Sequence, residues 1–208
     1  TVKACLEPAI NSQPGVQVEE FSTWPVFYQF IGSCYDFKLR IEKPTPVRPD
    51  GFIQILTKDN PPRMDRFFLE VDLTNEADIV LAQKAQCYSS YYRSGDFAVW
   101  LKKDRASFKD FPFRTIMVVE SAERRNFVTE FMLQYTKIKE SVLFTTLAEI
   151  KKDPLGAIWV SPADYSRATE NTTFAVKPEE WRPNRSCKRN SARDHFVEKS
   201  IKKHRLFE

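Results

Sequence analysis

Three stretches of the chain alternate apolar and polar residues, and others repeat apolar residues at helical spacing. Val16-Gln17-Val18-Glu19-Glu20-Phe21 predicts a half-exposed strand, and Phe37-Lys38-Leu39-Arg40-Ile41 predicts an edge strand. Phe52-Ile53-Gln54-Ile55-Leu56 is apolar with one interruption, as in an interior strand. From Phe67 to Leu73 the alternation is clean: Phe67, Leu69, Val71 and Leu73 share one face, and Phe68, Glu70 and Asp72 share the other. Asn75, with Asp78 three residues on, reads as the N-cap of a helix. Along it, Ala77, Leu81, Lys84, Tyr88 and Tyr91 fall in a stripe roughly 80° wide. Lys84 is the one charged group on that core-facing stripe.

The remaining elements follow the same logic. Residues 1–12 suggest a short helix ended by Pro14-Gly15, and three prolines make Lys43–Pro49 a stiff extended lead-in. Residues 22–36 are rich in aromatics and show no clear period. Residues 93–112 are charged and form a long connection, functional or mobile. Phe113–Val119 reads as a buried strand. Ser121 caps a helix carrying Phe127, Val128, Phe131, Met132 and Tyr135. Val142–Thr146 is a further strand, and Leu147–Lys152 is a short helix stopped by Pro154. Ile158-Trp159-Val160 adds a last apolar contact, after which the sequence turns polar. This order predicts an α/β fold, a mixed sheet flanked by helices.

Length and charge divide the chain. Its 208 residues suit one domain, read here as residues 1–165, followed by a basic segment 166–208. From Lys177 onward ten Lys/Arg face five acids, a net of +5 that leaves the remainder at −1. A basic tail on a near-neutral body suits a polyanion, although such a tail also serves solubility alone. Within it Lys188, Arg189, Lys202 and Lys203 are candidate nucleic-acid contacts, as are Arg124 and Arg125 further upstream. The last two occupy the first turn of their helix, the unfavourable end for a cation, and read as idle surface charges or as phosphate ligands. No apolar run approaches the ~18–20 residues of a membrane helix. Cys5, Cys34, Cys87 and Cys187 are scattered, which excludes a zinc knuckle and favours a reducing, cytoplasmic setting. Five glycines leave no phosphate loop or dinucleotide fingerprint.

The central stretch carries the chemistry. Asp50, Glu70 and Asp72 are oxygen donors of the kind a hard cation, Mg²⁺ or Mn²⁺, takes. Glu70 and Asp72, adjacent on one strand face, repel unless a cation or proton separates them. Lys84 on the following helix either snorkels to water or points at these acids to orient an attacking water or stabilise charge on a phosphate. A partly buried ion network with a purely structural role is the bland explanation of the same residues.

These residues resemble a known pattern. Pro49-Asp50, followed some twenty residues later by Glu70-x-Asp72, is similar to a variant of the PD-(D/E)xK nuclease signature, and Lys84-x-x-x-Tyr88 is similar to the helix motif that follows it in some of those nucleases. More narrowly, Pro49-Asp50-Gly51, Phe68-Leu69-Glu70-Val71-Asp72 with Thr74, Lys84, Tyr88, Phe144, Asp153-Pro154-Leu155 and Trp159 resemble the replication-relaxation family of plasmid and mobile-element proteins. The resemblance covers roughly residues 16–160. It implies a restriction-endonuclease-like core (αβββαβ) with an extra C-terminal segment, in a prokaryotic cytoplasmic protein. It also implies metal-dependent DNA nicking or cleavage with Asp50, Glu70, Asp72 and Lys84 as the catalytic set and the three acids as Mg²⁺ ligands. Family members often carry a winged-helix DNA-binding domain in front; none is visible, so the chain reads as the C-terminal part of such a protein. A homodimer stays open. Asp72 stands where the signature has lysine, so either Lys84 supplies that charge or the fold is an inactive module that binds nucleic acid or a protein partner.

Overall fold

The structure is a computed structural model that describes residues 1–23, 29–36, 39–73, 76–139, 141–170, 198 and 201–206. The chain opens with helix α1 (Val2–Asn11), followed by strands β1 (Val16–Thr23), β2 (Phe30–Asp36), β3 (Ile41–Val47), β4 (Gly51–Thr57) and β5 (Arg63–Asp72). Helices α2 (Asp78–Arg93) and α3 (Asp96–Trp100) and a 3-10 turn (Arg105–Asp110) lead to β6 (Arg114–Val119). Then come α4 (Ala122–Tyr135), β7 (Val142–Thr146), α5 (Leu147–Lys152) and α6 (Pro162–Thr169).

Five strands form one mixed sheet in the order β1-β4-β5-β6-β7. β1, β4 and β5 are antiparallel neighbours, whereas β6 and β7 run parallel to β5. A parallel step needs a crossover; α2 with α3 provides the first and α4 the second. Both crossovers cover one face of the sheet, and α1 and α5 cover the other. On one face Ile53, Ile55, Phe67, Leu69, Ile116 and Val118 pack with Leu6 and Ile10 of α1, Ile150 of α5 and Trp159. On the other, Met117, Val119 and Phe144 meet α2 and α4, and Phe52 and Phe68 join Tyr88, Tyr91 and Phe97. The alternation of β5 reads out directly, since Phe67 and Leu69 face α1 while Phe68 faces α2.

The structure departs from the sequence pattern in four places. Of the strand expected over 37–41, Phe37 and Lys38 lie outside the described residues, Leu39–Arg40 is a turn, and Ile41 opens β3 (Ile41–Val47). Pro44 and Pro46 are tolerated there because β3 pairs only with β2, as the edge of a two-stranded ribbon. This ribbon packs on α2 through Gly32, where a Cβ would lie 2.5 Å from the Cβ of Cys87. The 93–112 connection holds α3 and a 3-10 turn; Gly95, the residue before α3, sits at φ 74°, where a Cβ would lie 2.6 Å from the carbonyl of Arg105. The polar stretch after Ser161 is α6, started by Pro162 and a reciprocal cap between Ser161 and Asp164. Finally, part of the basic segment returns to the body: His204 and Trp159 exchange backbone hydrogen bonds of 2.7 and 3.1 Å, and Ile201 and Leu206 are buried. Among the described residues no helix is long and apolar enough to cross a membrane. The expected N-cap Asn75, with Lys188 and Arg189, lies outside the described residues; α2 begins at Asp78 with Ala77 in the cap position.

Candidate acid–lysine site

β4 starts beside the end of β5, and their register sets Asp50 opposite Glu70. Gly51 pairs with Leu69; the Asp50 N–H donates to the Leu69 carbonyl at 3.0 Å, and the Val71 N–H donates to Asp50 Oδ2 at 2.7 Å. Asp50 is exposed, whereas Glu70 is only 1% exposed under α2. Two α2 side chains one turn apart take the two oxygens of Glu70. Lys84 Nζ donates to Oε2 at 2.9 Å and the Tyr88 hydroxyl donates to Oε1 at 2.5 Å. Lys84 also lies 3.0 Å from Glu76 Oε2, so its ammonium bridges two acids.

Burial dominates the electrostatics. It pushes the Glu70 carboxyl up to about 7, against the opposing effects of the Lys84 charge and the Tyr88 hydrogen bond, and the Asp50 charge adds to the rise. Burial works against the Lys84 ammonium, but Glu70 and Glu76 outweigh it and hold the amine above its ordinary value. Tyr88 is pushed well above the usual phenol range by burial and by the Glu70 charge, so it remains a donor.

Asp72 does not join this group. Although it shares the Glu70 face, it lies ~7 Å further along the strand and turns to α4. Its Oδ2 takes Arg124 Nε at 3.1 Å and Nη2 at 2.9 Å, while Oδ1 takes the Glu76 N–H at 3.1 Å. Arg124 also pairs with Asp78. Glu70 and Asp72 thus have one cation each, from different helices, and this corrects the expectation of a three-carboxylate cluster. It also accounts for a cation in the first turn of α4: from there Arg124 reaches back over the ends of the strands. Arg125 is fully buried and pairs with Glu198 and, at 3.6 Å, with Glu149. It is neither an idle surface charge nor placed to meet a phosphate. Lys203 is bound to Glu149 at 2.6 Å and Glu198 at 3.2 Å, and Lys202 is exposed.

Among the described residues no three Asp, Glu, His or Cys side chains form a group that could hold a metal ion. Asp50 and Glu70 remain as a pair. Mg²⁺ is commonly held by one or two carboxylates, with water and phosphate oxygens completing its shell. Only one Asp50 oxygen is engaged by the backbone among the described residues. The pair matches a hard divalent ion in donor type, but Lys84 and Tyr88 take both Glu70 oxygens and Asp72 lies outside the pair. Sequence reasoning missed Glu76, which no periodicity marks, and the pairing of Arg124 with Asp72, for which the misplaced helix charge was the available signal.

No protein-family model, curated protein or solved structure matches the chain.

Proposed function

We propose that the chain is a DNA-processing protein that nicks or cleaves phosphodiesters with the help of Mg²⁺ or Mn²⁺ at Asp50 and Glu70. The observation that carries this reading is the contact of Lys84 Nζ with Glu70 at 2.9 Å, in register with Asp50 at the adjoining ends of β4 and β5. Supporting it, an antiparallel β1-β4-β5 meander followed by a helical crossover to a parallel β6 is the order expected of a restriction-endonuclease-like core, with the β2–β3 ribbon inserted. The Pro49-Asp50, Glu70 and Lys84-x-x-x-Tyr88 resemblance to replication-relaxation proteins falls on these same residues. The neighbouring surface also suits a nucleic-acid strand. Trp100 is 44% exposed and edge-on to Phe52 at 5.5 Å, two residues along β4 from Asp50, and exposed Lys102 and Lys103 follow it.

Each side chain has a distinct part. Asp50 offers an oxygen at the open end of the site. Tyr88 fixes the orientation of Glu70. Lys84 sets a positive charge where negative charge develops on the phosphoryl oxygens, and Glu76 holds that ammonium in place. When bound, the ion's contribution is polarisation of a phosphoryl oxygen and easier deprotonation of a water. The test is conversion of supercoiled plasmid to nicked or linear forms with Mg²⁺ or Mn²⁺, lost in Glu70→Gln and Lys84→Met with the fold intact by circular dichroism. Absence of metal-dependent cleavage of any DNA form removes the enzymatic reading.

A second reading, a nuclease-like module that binds nucleic acid without cutting it, is favoured by the 1% exposure of Glu70 and the occupation of both its oxygens. It is selected by DNA binding that weakens steeply with salt, is unchanged in Glu70→Gln, and is accompanied by no Mn²⁺-induced rise in melting temperature.

A further inference from the structure

A pocket of about 220 Å³ lies at the start of β6, whereas Asp72 pairs with Val119 at the other end of that strand. Arg114, Arg167, Arg205 and His204 line it together with Ser161 and Asp164, over the side chain of Leu143. Three guanidiniums and an imidazole thus surround one carboxylate. The Arg114 side chain is exposed and makes no hydrogen bond or ion pair among the described residues. Arg167 is 59% exposed and reaches Asp164 Oδ1 only at 3.5 Å. The Arg114 charge is not neutralised at close range among the described residues, and the concavity concentrates its field.

Asp164 adds the second observation. It is 2% exposed. Its Oδ2 is crowded, accepting from the Ser161 N–H at 3.0 Å and the Ser161 hydroxyl at 2.5 Å, with His204 Nε2 at 3.0 Å. Its Oδ1 is buried and accepts no hydrogen bond among the described residues. A buried acceptor left without a hydrogen bond is destabilising. A ligand that brings both negative charge and an O–H answers both halves of the pocket.

The geometry points to a binding site for a hydrogen-phosphate group, its anionic oxygens on Arg114 and Arg167 and its P–OH donated to Asp164 Oδ1. Arginine forks match phosphate oxygens bidentately. Sulfate offers the same anionic oxygens and no proton at neutral pH, so Asp164 discriminates between the two. Because His204 and Arg205 come from the returning end of the chain, an occupied site also fastens that segment to α6.

The experiment is isothermal titration of the full chain with inorganic phosphate, sulfate, thymidine 5′-monophosphate and thymidine. The expected result is saturable phosphate binding, sulfate weaker by about tenfold, the worth of one charge-assisted hydrogen bond, and loss of phosphate binding in Arg114→Ala/Arg167→Ala. Both substituted residues are exposed, and an unchanged circular-dichroism melt confirms the fold. Tighter binding of the nucleotide than of phosphate, with none by thymidine, identifies a nucleic-acid phosphate end as the source; equal binding identifies free phosphate. No phosphate binding, or binding that survives the double substitution, overturns the site. Sulfate binding as tight as phosphate overturns the role of Asp164.

Discussion

Glu70 and Asp72 stand two residues apart on one face of β5, yet they answer to different helices: Lys84 of α2 lies 2.9 Å from Glu70 and Arg124 of α4 lies 2.9 Å from Asp72. A strand that carries two buried acids is neutralised in two separate places. This separates a site that Asp50 opens to solvent from a pair that ties α2, α4 and the sheet together.

The first consequence is a pH dependence. Glu70 titrates near 7 in the folded chain and near 4.5 when unfolded. Between those values the folded state holds a proton that the unfolded chain has lost. The contribution is therefore complete below the unfolded value, declines as pH rises toward 7, and is spent above it. Its size is roughly 3 kcal/mol at most for this buried group. Urea denaturation of wild type and Glu70→Gln between pH 4.5 and 8 is expected to show the variant gaining on wild type as pH rises. A constant difference across that range rules the assignment out.

Arg124→Ala leaves Asp72 and Asp78 without their cation in a largely buried setting. A loss of about 3 kcal/mol is expected, as for other buried pairs that lose one partner. Adding Asp72→Asn is expected to recover part of it, because the stranded charge goes too. The check is a double-mutant cycle by chemical denaturation, and simple additivity would contradict the pairing.

Leu206 is 2% exposed and belongs to the cluster of α1, β4 and Trp159. Leu206→Ala is expected to cost about 2–4 kcal/mol, like other buried leucines, seen as a lower urea midpoint. A change within error would mean that the end of the chain is not part of the core.

Burial, aided by neighbouring Cys34, pushes the Cys87 thiol up to about 12. Half-buried Cys5 is expected to be alkylated by iodoacetamide at pH 8 well before Cys87, as peptide mass spectrometry would show. Equal rates would place Cys87 in an open environment.

Much of the sheet was legible because period 2 and period 3.6 are local signals. β4, β5, α2, α4 and α5 follow from their own residues. Strand parity put Glu70 and Asp72 on one face of β5, and helical spacing put Lys84 and Tyr88 on the face of α2 that meets the sheet. The β2–β3 ribbon was not legible: its aromatics and prolines carry no clean period, and its burial depends on α2, far along the chain. α6 announced itself by Ser161, Pro162 and Asp164, but its polar composition hid the signal. The partner of Asp72 lies 52 residues away in sequence, and Arg125 is buried only because Glu149 and Glu198 come to it. Such pairings exist only once the fold does.

The layer against α1 holds Val2 and Leu6 from the first helix and Leu206 from the other end of the chain. During synthesis the apolar core between α2, α4 and the sheet has all its parts once β7 has emerged. The opposite layer waits, with an apolar flank uncovered, until the returning segment leaves the ribosome. Any truncation upstream of Ile201 would make that interval permanent, and the shortened product would be a substrate for chaperones and proteases.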